Sequence, residues 1–481
     1  MFLQRFYDDA LAQASYLVGC AATGEALVVD PSRDVAQYID TAKREGLRVT
    51  HVTETHIHAD FVSGARELAA ATGARLLLSA EGGAEWQYTY ASEDGATLLR
   101  DGDTFRIGNV RVEVMHTPGH TPEHLCFVIT DTAAADRPMG VFTGDFIFVG
   151  AVGRPDLLER AVHLQGTMEA GARQLFASLR RFKATLPDWV QLWPGHGAGS
   201  ACGKSLGAVP TTTLGYEVLF NRGLAETDEA AFVAEVLAGQ PEPPMYFAEM
   251  KRMNREGPRV LGSLPRPARL PDAELARVLA DGGVVVDARP APEFARRHVP
   301  GTLSVPLGKS FPTWAGSVLS YDRDFHLLAP AGADDDRMAD AARSLAMIGL
   351  DRVAGWFAAS AIDGAVADAG RAGEVPDVQP DGLDDALASG AELVDVRNSS
   401  EFAAGHLPGA VNLPLGRLAE RVDELPRGRT LVIHCQSGAR AGVAASLLAA
   451  RGFDDVRHLA GDYAGWTAAG RPVEKGEPVP A

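Results

Sequence analysis

The sequence predicts an α/β protein built from several domains, and three observations support this prediction. Short runs rich in β-branched residues, such as 47–53, alternate with segments of helical spacing, such as 168–186. Side chains of metal-binding type follow strand-like runs at four places before residue 200. A pattern of about a hundred residues occurs twice beyond residue 268. The 481 residues also exceed what one ordinary hydrophobic core accommodates.

Composition and charge narrow the possible partners. The chain is 46% hydrophobic and 22% charged, which is typical of globular proteins, and its net charge is −18. This charge argues against binding to nucleic acid or to an anionic membrane. No apolar run reaches the ~20 residues of a membrane span, and residues 1–9 lack the features of a signal peptide. We therefore expect a cytoplasmic protein with no nucleic-acid or membrane partner.

The first candidate site lies in the segment 55–61, Thr-His-Ile-His-Ala-Asp-Phe, directly after the predicted strand 47–53. Side chains at the exit of a strand are held at fixed angles by the rigid sheet. Three later segments also end strand-like runs, beside Gly or Pro residues that let the backbone turn sharply. Together the four segments carry His56, His58, Asp60, His120, Asp145 and His196. Four such segments in order predict a metal site.

Over roughly residues 1–235 this pattern resembles the metallo-β-lactamase superfamily. The resemblance implies an αββα sandwich with its metal at one sheet edge. The usual signature of the superfamily is H-x-H-x-D-H, with ligands for two metals, and Phe61 stands at its final histidine. A second metal would need Asp60, a ligand at position 61 and His196 together. We therefore predict one metal per chain.

The best ligand set for a single metal is His56, His120 and Asp145. Two imidazoles and one carboxylate with open positions suit non-haem Fe(II) and oxygen chemistry, whereas closed zinc sites prefer four protein ligands. The set matches the persulfide dioxygenase branch of the superfamily, in which the corresponding residues hold the iron. His58 is a candidate fourth ligand. Asp60 and His196 are expected to orient imidazoles or bound water.

Two further residues of the first domain are candidates with an open alternative. Cys202 lies in a glycine-rich segment beside Lys204 and six residues after His196, so we expect it near the metal pocket with a lowered pKa. A structural thiol is the alternative. Arg154 could bind the carboxylate or the persulfide group of a substrate, or form a salt bridge with Asp156. No C-x-x-C pair occurs, so neither a disulfide framework nor a zinc ribbon is predicted.

Prolines concentrate between residues 241 and 268, which predicts a semi-rigid linker after a domain at 1–240. Beyond it the chain repeats at a constant offset of 108, from Asp287 to Asp395 and from Phe294 to Phe402. The repeated pattern V-D-x-R … E-F … H-x-P-G resembles the rhodanese family. This resemblance implies two small α/β domains, at 269–368 and 378–476, of a type that carries sulfane sulfur on a cysteine.

The second copy contains the expected cysteine at a strand-to-helix turn. The predicted strand 430–434 ends in Cys435, and a helix-like segment begins at 441. A helix N-terminus and backbone N–H groups aimed at the thiol predict a lowered pKa and a stabilised sulfur anion. Arg440 falls five residues after Cys435, which favours sulfur transfer over the longer C-x-x-x-x-x-R phosphatase loop. Arg440 is expected to steady the loop or the negative charge of the donor. The loop residues predicted to bind substrate are Gln436, Ser437, Gly438 and Ala439.

The first copy has no cysteine in this position. Its strand 325–329 runs into Pro330, so a proline without N–H stands at or near the place of the nucleophile. We predict that this copy is catalytically inactive. Asp287 and Asp395 occur in both copies and are therefore expected to form hydrogen bonds at strand ends.

The whole chain resembles bacterial fusions of a persulfide dioxygenase and a rhodanese. This implies one Fe(II) per chain, oxidation of glutathione or coenzyme A persulfide with O2 to sulfite and thiol, and sulfur transfer through Cys435 that makes or uses thiosulfate. We also expect a homo-oligomer. One alternative is a glyoxalase II-like zinc thioester hydrolase fused to a sulfurtransferase, against which Phe61 argues. Another is a persulfide-binding scaffold without turnover at the metal.

Overall fold

The computed structural model describes residues 1–157, 166–204, 206–240 and 242–476, and it divides into two compact units. The first unit comprises Met1–Ser263 with Met347–Gly349, and the second comprises Leu264–Ala346 with Leu350–Ala481. No helix among the described residues combines the length and apolar character needed to cross a bilayer.

The first unit contains two six-stranded sheets. The first sheet consists, in spatial order, of β1 (Phe2–Asp8), β2 (Gln13–Cys20), β3 (Glu25–Val29), β4 (Arg48–Thr53), β5 (Arg75–Ser79) and β6 (Thr97–Leu99). The second consists of β7 (Thr104–Ile107), β8 (Val110–His116), β9 (Leu125–Asp131), β10 (Gly140–Gly144), β11 (Gln191–Pro194) and β12 (Thr212–Thr213). Strands β3 to β6 run parallel, and so do β10 and β11.

Helices cover the outer faces of these sheets. They are α1 (Ala36–Arg44), α2 (Ala65–Thr72), α3 (Thr167–Thr185), α4 (Leu214–Phe220), α5 (Arg222–Ala225), α6 (Glu229–Leu237) and α7 (Phe247–Glu256). Strand β9 shows why the layers form: Phe127 packs in the core between the sheets, whereas Val128 packs in the core beneath α3. Alternate side chains of a strand point to opposite faces, so one strand serves both cores. The layers are the predicted αββα sandwich.

The second unit contains two smaller parallel sheets. The first has the order β14 (Leu303–Ser304), β13 (Val284–Asp287), β15 (Phe325–Leu328), β16 (Val353–Phe357). The second has the order β17 (Asp377–Val378), β21 (Val456–Leu459), β20 (Leu431–His434), β18 (Glu392–Asp395), β19 (Val411–Asn412). Their helices are α8 (Leu275–Ala280), α9 (Ala291–Arg296), α10 (Phe311–Val318), α11 (Asp335–Ala346), α12 (Ala361–Asp368), α13 (Leu383–Ala388), α14 (Ser399–Ala404), α15 (Leu415–Arg421), α16 (Ala439–Ala450) and α17 (Asp462–Ala468).

The internal repeat is visible in these two sheets, which share the same four-strand arrangement. In each copy a buried aspartate at a strand end pairs with the arginine two residues later: Asp287 with Arg289 and Asp395 with Arg397, at 2.7 and 2.6 Å. Both aspartates are thus hydrogen-bonding residues at strand ends, as predicted.

The segment 241–268, predicted as a linker, contains α7, and the first unit extends to Ser263. The described prolines of this segment lie on either side of the helix, at positions where they do not interrupt the helical hydrogen bonds. The prolines therefore mark the ends of a helix, and this helix belongs to the first unit.

Candidate metal centre and sulfur-transfer site

Three side chains predicted as metal ligands meet at the ends of their strands. The Nε2 atoms of His56 and His120 lie 3.9 and 3.5 Å from Oδ2 of Asp145. One ligand atom from each of the three residues lies within 4.8 Å of the others, and all three side chains are buried. The sheets bring together residues that are up to 89 positions apart in the sequence.

Hydrogen bonds fix which nitrogen of each ring faces this cluster. Nδ1 of His120 lies 3.0 Å from the carbonyl oxygen of Arg154 and therefore carries the proton. The hydroxyl of Thr55 donates to Asp30, so its oxygen accepts from Nδ1 of His56 at 2.9 Å. Each ring thus presents an unprotonated Nε2 to the cluster, as a metal ligand must.

Burial also keeps these two rings neutral. Desolvation, with a smaller effect of neighbouring imidazoles, holds the pKa of His56 well below its usual value. Burial likewise lowers the pKa of His120, although Asp145 opposes the shift. Neutral imidazole is the form that binds a metal.

Asp145 is positioned by close backbone contacts. Its N–H donates to Nε2 of His124, which removes that nitrogen as a ligand. Gly144 adopts φ of +47°, and a Cβ on it would collide with the side chain of Thr55. Asp145 is fully buried, yet neither carboxylate oxygen accepts a hydrogen bond from the described residues. Because a buried carboxylate is costly without a cation or donors, the residues fit a bound metal ion.

His58 lies beside this cluster but is held by another carboxylate. Its Nε2 lies 3.1 Å from Oδ1 of Asp30, while its Nδ1 has no hydrogen-bond partner in the described part of the chain. Burial opposes a charged ring, but the carboxylates of Asp30, Asp60 and Glu54 together outweigh it and raise the pKa of His58 to about 9. A protonated His58 would stabilise Asp30, and its role as a fourth ligand stays a prediction.

A second group of ligand types adjoins the first. Asp60, His196 and Cys202 are buried and offer ligand atoms within 4.8 Å of one another. Nε2 of His196 lies 3.1 Å from Asp60 and 3.4 Å from Oδ1 of Asp145, so Asp145 stands between the two groups. Phe61 is buried against His58, with ring centroids 4.4 Å apart. The second group thus contains the thiol of Cys202 and lacks the histidine that the superfamily signature has at position 61.

The expected proximity of Cys202 to the metal pocket is confirmed, but its predicted lowered pKa is wrong. Burial and the carboxylates of Asp60 and Asp145 raise the pKa of this thiol to about 12. Desolvation opposes a charged imidazole at His196, yet the carboxylates outweigh it and raise its pKa well above the usual value. Without a metal, a protonated His196 offsets only part of the negative charge of Asp60 and Asp145.

The sequence allowed two arrangements for Arg154, and the structure shows the second, a salt bridge with Asp156. Its guanidinium is fully buried and donates to both oxygens of Asp156, at 2.8 and 2.7 Å, and to the carbonyl of Ala201. The backbone carbonyl of Arg154 accepts from His120. Its placement therefore favours fixing the loop that orients His120 over direct contact with a substrate.

Sequence analysis did not identify Asn254, which holds the loop that follows residue 55. Nδ2 of Asn254, on α7, donates to the carbonyls of His58 and Phe61 at 2.8 and 2.7 Å. Its Oδ1 accepts from the N–H of Ser63 at 2.9 Å. This buried amide lies 196 residues after His58 in the sequence, and no local sequence pattern indicates its role.

In the second unit, Cys435 lies between β20 and α16, as predicted. The N–H of Gly438 donates to its Sγ at 3.1 Å, and the residue is buried. The predicted lowered pKa is nevertheless wrong: burial and the nearby carboxylate of Asp462 raise it, although the backbone N–H groups of Ser437 and Ala441 oppose this. The backbone dipoles favour the thiolate, but desolvation outweighs them.

Arg440 pairs with Glu401 of α14, at 2.6 and 2.9 Å. Such a bidentate pair holds the guanidinium in a defined position beside the loop. This geometry agrees with the first of the two roles predicted for Arg440, that of steadying the loop.

In the first copy, the strand register aligns Leu328 with His434, so Ala329 takes the position of Cys435 and Pro330 follows it. The N–H of Ala329 donates to Phe357 of the neighbouring strand. This copy offers no thiol at the turn.

Sequence reasoning also missed three residues beside Cys435. The N–H of Cys435 donates to Oδ1 of Asp462 at 2.8 Å. The other oxygen of Asp462 lies 3.0 Å from Nε2 of His458, whose Nδ1 lies 2.9 Å from Asp377. Asp462 follows a strand and a glycine, the same pattern that identified Asp145, so this signal was present in the sequence.

Comparisons with known proteins agree with this architecture. A family model described as the metallo-beta-lactamase superfamily matches residues 8–196, and one described as a rhodanese-like domain matches residues 379–469. A solved structure described as a metallo-beta-lactamase from Staphylococcus aureus subsp. aureus COL is 42% identical, with a TM-score of 0.67, and the match covers 74% of this chain and 99% of that one.

Curated relatives match about two fifths of the chain. A hydroxyacylglutathione hydrolase of Nitrosococcus oceani is 34% identical over 194 residues, which are 40% of this chain and 65% of the relative. A protein of Homo sapiens named "Persulfide dioxygenase ETHE1, mitochondrial" is 29% identical over 198 residues, 41% of this chain and 68% of that protein. This chain therefore spans about two thirds of the length of these relatives. The chain belongs to the metallo-β-lactamase superfamily and carries a rhodanese-like domain after its metallo-β-lactamase fold.

Proposed function

We propose that the chain catalyses two linked sulfur reactions. At the cluster of His56, His120 and Asp145, one Fe(II) supports the oxidation of a low-molecular-weight persulfide with O2, which yields sulfite and the free thiol. At Cys435, sulfane sulfur is transferred so that thiosulfate is made or used. The observation that carries the proposal is a buried group of two imidazoles and one unpartnered carboxylate in the same chain as an intact cysteine loop.

The donor set supports iron. Two neutral histidines and one carboxylate leave open positions on a metal, which is the arrangement of non-haem Fe(II) oxygenases. When bound, the iron would supply the redox chemistry with O2. The protein holds the two rings through the carbonyl of Arg154 and the hydroxyl of Thr55, and it excludes water from the carboxylate of Asp145.

The oxidation balances without a further reductant. The terminal sulfur of the persulfide loses electrons to O2, the S–S bond breaks, and water provides the third oxygen of sulfite while two protons are released. The thiol keeps its own sulfur. The human relative named as a persulfide dioxygenase supports this choice of substrate class.

The alternative is a zinc thioester hydrolase fused to a sulfurtransferase. It is favoured by the relatives named hydroxyacylglutathione hydrolase and by the second group of ligand types, Asp60, His196 and Cys202. In that case His56, His120 and Asp145 would hold one metal, and Asp60, His196 and Cys202 would hold a second. Phe61 argues against it because the usual histidine ligand is missing.

Metal and substrate tests separate the two. The chain is purified without oxygen, its metals are quantified, and it is assayed for O2 uptake with glutathione persulfide and for hydrolysis of S-lactoylglutathione. One iron per chain with O2 uptake is expected. Two zinc ions with thioester hydrolysis and no O2 uptake would refute the dioxygenase.

A further inference from the structure

A cavity of about 1000 Å³ opens beside the loop of Cys435 in the second unit. One wall is formed by Ser437, Gly438 and Ala439 of that loop. Further lining residues come from α9 of the first copy and from the segment 374–377. The copy without a cysteine thus contributes surface to the reacting site of the other copy.

The size of the cavity points to an organic substrate. Pockets that enclose small organic molecules measure about 300–1000 Å³, and this cavity lies at the upper end of that range. Sulfite and thiosulfate have only a few heavy atoms and would leave most of it filled with water. The space therefore fits a thiol with a sizeable carrier group.

The charges on the walls restrict the chemistry of that carrier. Arg296 and Glu374 line the cavity, are exposed, and have no ion-pair partner within the described residues. His458 is already bonded to Asp377 and Asp462. The lining thus offers one free cation and one free carboxylate, and its acidic groups outnumber its basic ones. Such a surface repels a polyanion.

On the basis of the proposed sulfur transfer, we propose that this cavity binds a compact thiol that carries both a carboxylate and an ammonium group, and that it selects against a polyanionic thiol. Arg296 binds the carboxylate, since a guanidinium matches a carboxylate with two parallel hydrogen bonds. Glu374 binds the ammonium group. Glutathione is a probe of the first class and coenzyme A is a probe of the second.

The transfer itself balances in two steps. The thiolate of Cys435 attacks the outer sulfur of thiosulfate, a new S–S bond forms, the old one breaks, and sulfite leaves with the electron pair. The carrier thiolate then takes the sulfane sulfur from the Cys435 persulfide and regenerates the Cys435 thiolate. No net oxidant or reductant is needed.

Initial rates of sulfur transfer from thiosulfate test the proposal with three acceptors: glutathione, coenzyme A and cyanide. Cyanide is too small to need the cavity walls. Arg296→Ala should raise KM for glutathione about fivefold, as expected for one partly exposed ion pair, with no comparable rise in KM for cyanide. Arg297→Ala is the matched control, because the neighbouring Arg297 pairs with Asp363 and does not line the cavity.

Charge reversal provides a second variant. Glu374→Lys should lower KM for coenzyme A and raise it for glutathione. Equal KM values for both thiols in the native chain, or equal effects of Arg296→Ala and Arg297→Ala, would overturn the inference while transfer to cyanide still upheld the sulfurtransferase.

Absence of transfer even to cyanide would instead refute the proposed function at Cys435. The cavity would then be tested by calorimetry. This measures the binding of glutathione to the Cys435→Ser variant and to the double variant that also carries Arg296→Ala. Weaker binding in the double variant is expected, and identical binding would overturn the inference.

Discussion

Oδ2 of Asp145 lies 3.5 Å from Nε2 of His120, while neither oxygen of this fully buried carboxylate accepts a hydrogen bond within the described residues. The nitrogen that faces Asp145 is the unprotonated one, because Nδ1 of His120 donates to a backbone carbonyl. Two acceptors that face each other need a cation between them or beside them. We therefore expect a metal ion beside Asp145 and His120.

Replacement of Asp145 by Asn should abolish iron binding and O2 uptake. Loss of an outer partner of a metal ligand costs about 10–100-fold in affinity, so loss of a ligand should cost at least about 100-fold. Metal analysis after anaerobic purification measures this. His116→Gln is the control, since His116 bonds to Pro122 outside the cluster. Full iron content in Asp145→Asn would exclude Asp145 as a ligand.

Asn254→Ala should weaken metal binding without removing any ligand. The substitution leaves the carbonyls of His58 and Phe61 and the N–H of Ser63 without their buried partner, and the loop that carries His56 loosens. A decrease of about 10-fold in metal affinity is expected.

The control for this prediction is Asn221→Ala, a buried asparagine with bonds to Ala151 and Glu217 instead. Competition with a chelator measures affinity in both variants. Equal affinities in Asn254→Ala and Asn221→Ala would contradict a positioning role for Asn254.

Cys202→Ser should leave the iron content at one per chain and O2 uptake unchanged. The reason is that the single-metal cluster does not include this thiol. Cys126→Ser serves as the control, because Cys126 is a buried thiol in the core beneath α3. Loss of a metal ion in Cys202→Ser alone would show that Asp60, His196 and Cys202 hold a second ion.

Cys435→Ser should consume oxygen at the native rate and accumulate sulfite, but form no thiosulfate. The transfer needs a sulfur nucleophile, and the hydroxyl of serine cannot carry sulfane sulfur. Oxygen electrode traces and quantification of both sulfur products measure this. A parallel loss of oxygen uptake would contradict two separable reactions.

Asp462→Asn should shift the pH profile of sulfur transfer to lower pH. The negative charge of Asp462 is one cause of the raised pKa of Cys435, after burial. Its removal lowers that pKa, so the thiolate forms at a lower pH. Asn keeps the oxygen that accepts from the N–H of Cys435. An unshifted profile in rate measurements between pH 6 and 10 would show that the thiol does not titrate in the transfer step.

Much of the candidate site could be predicted because its signals are local. A histidine or aspartate that follows a strand-like run is readable within a few residues, and this pattern pointed to His56, His120 and Asp145, the last two directly after a glycine. A similar pattern occurs at Gly461-Asp462, shortly after β21, and it was not recognised as part of a site from the sequence. The strand register shows that Ala329 of the first copy, one residue before Pro330, takes the position of Cys435.

The sequence by itself determined the internal repeat and the loop of Cys435, because a constant offset and a strand-to-helix turn are short-range properties of the chain. The αββα fold of the first part was implied by the resemblance of its motifs to a known superfamily. Only the tertiary structure decided that Asn254 holds the loop of residues 55–61, that Cys202 lies beside Asp60 and His196, and that the pKa values of Cys202 and Cys435 are raised. Hydrogen-bond partners far apart in sequence and the loss of water around a thiol arise from packing, and packing depends on every element at once.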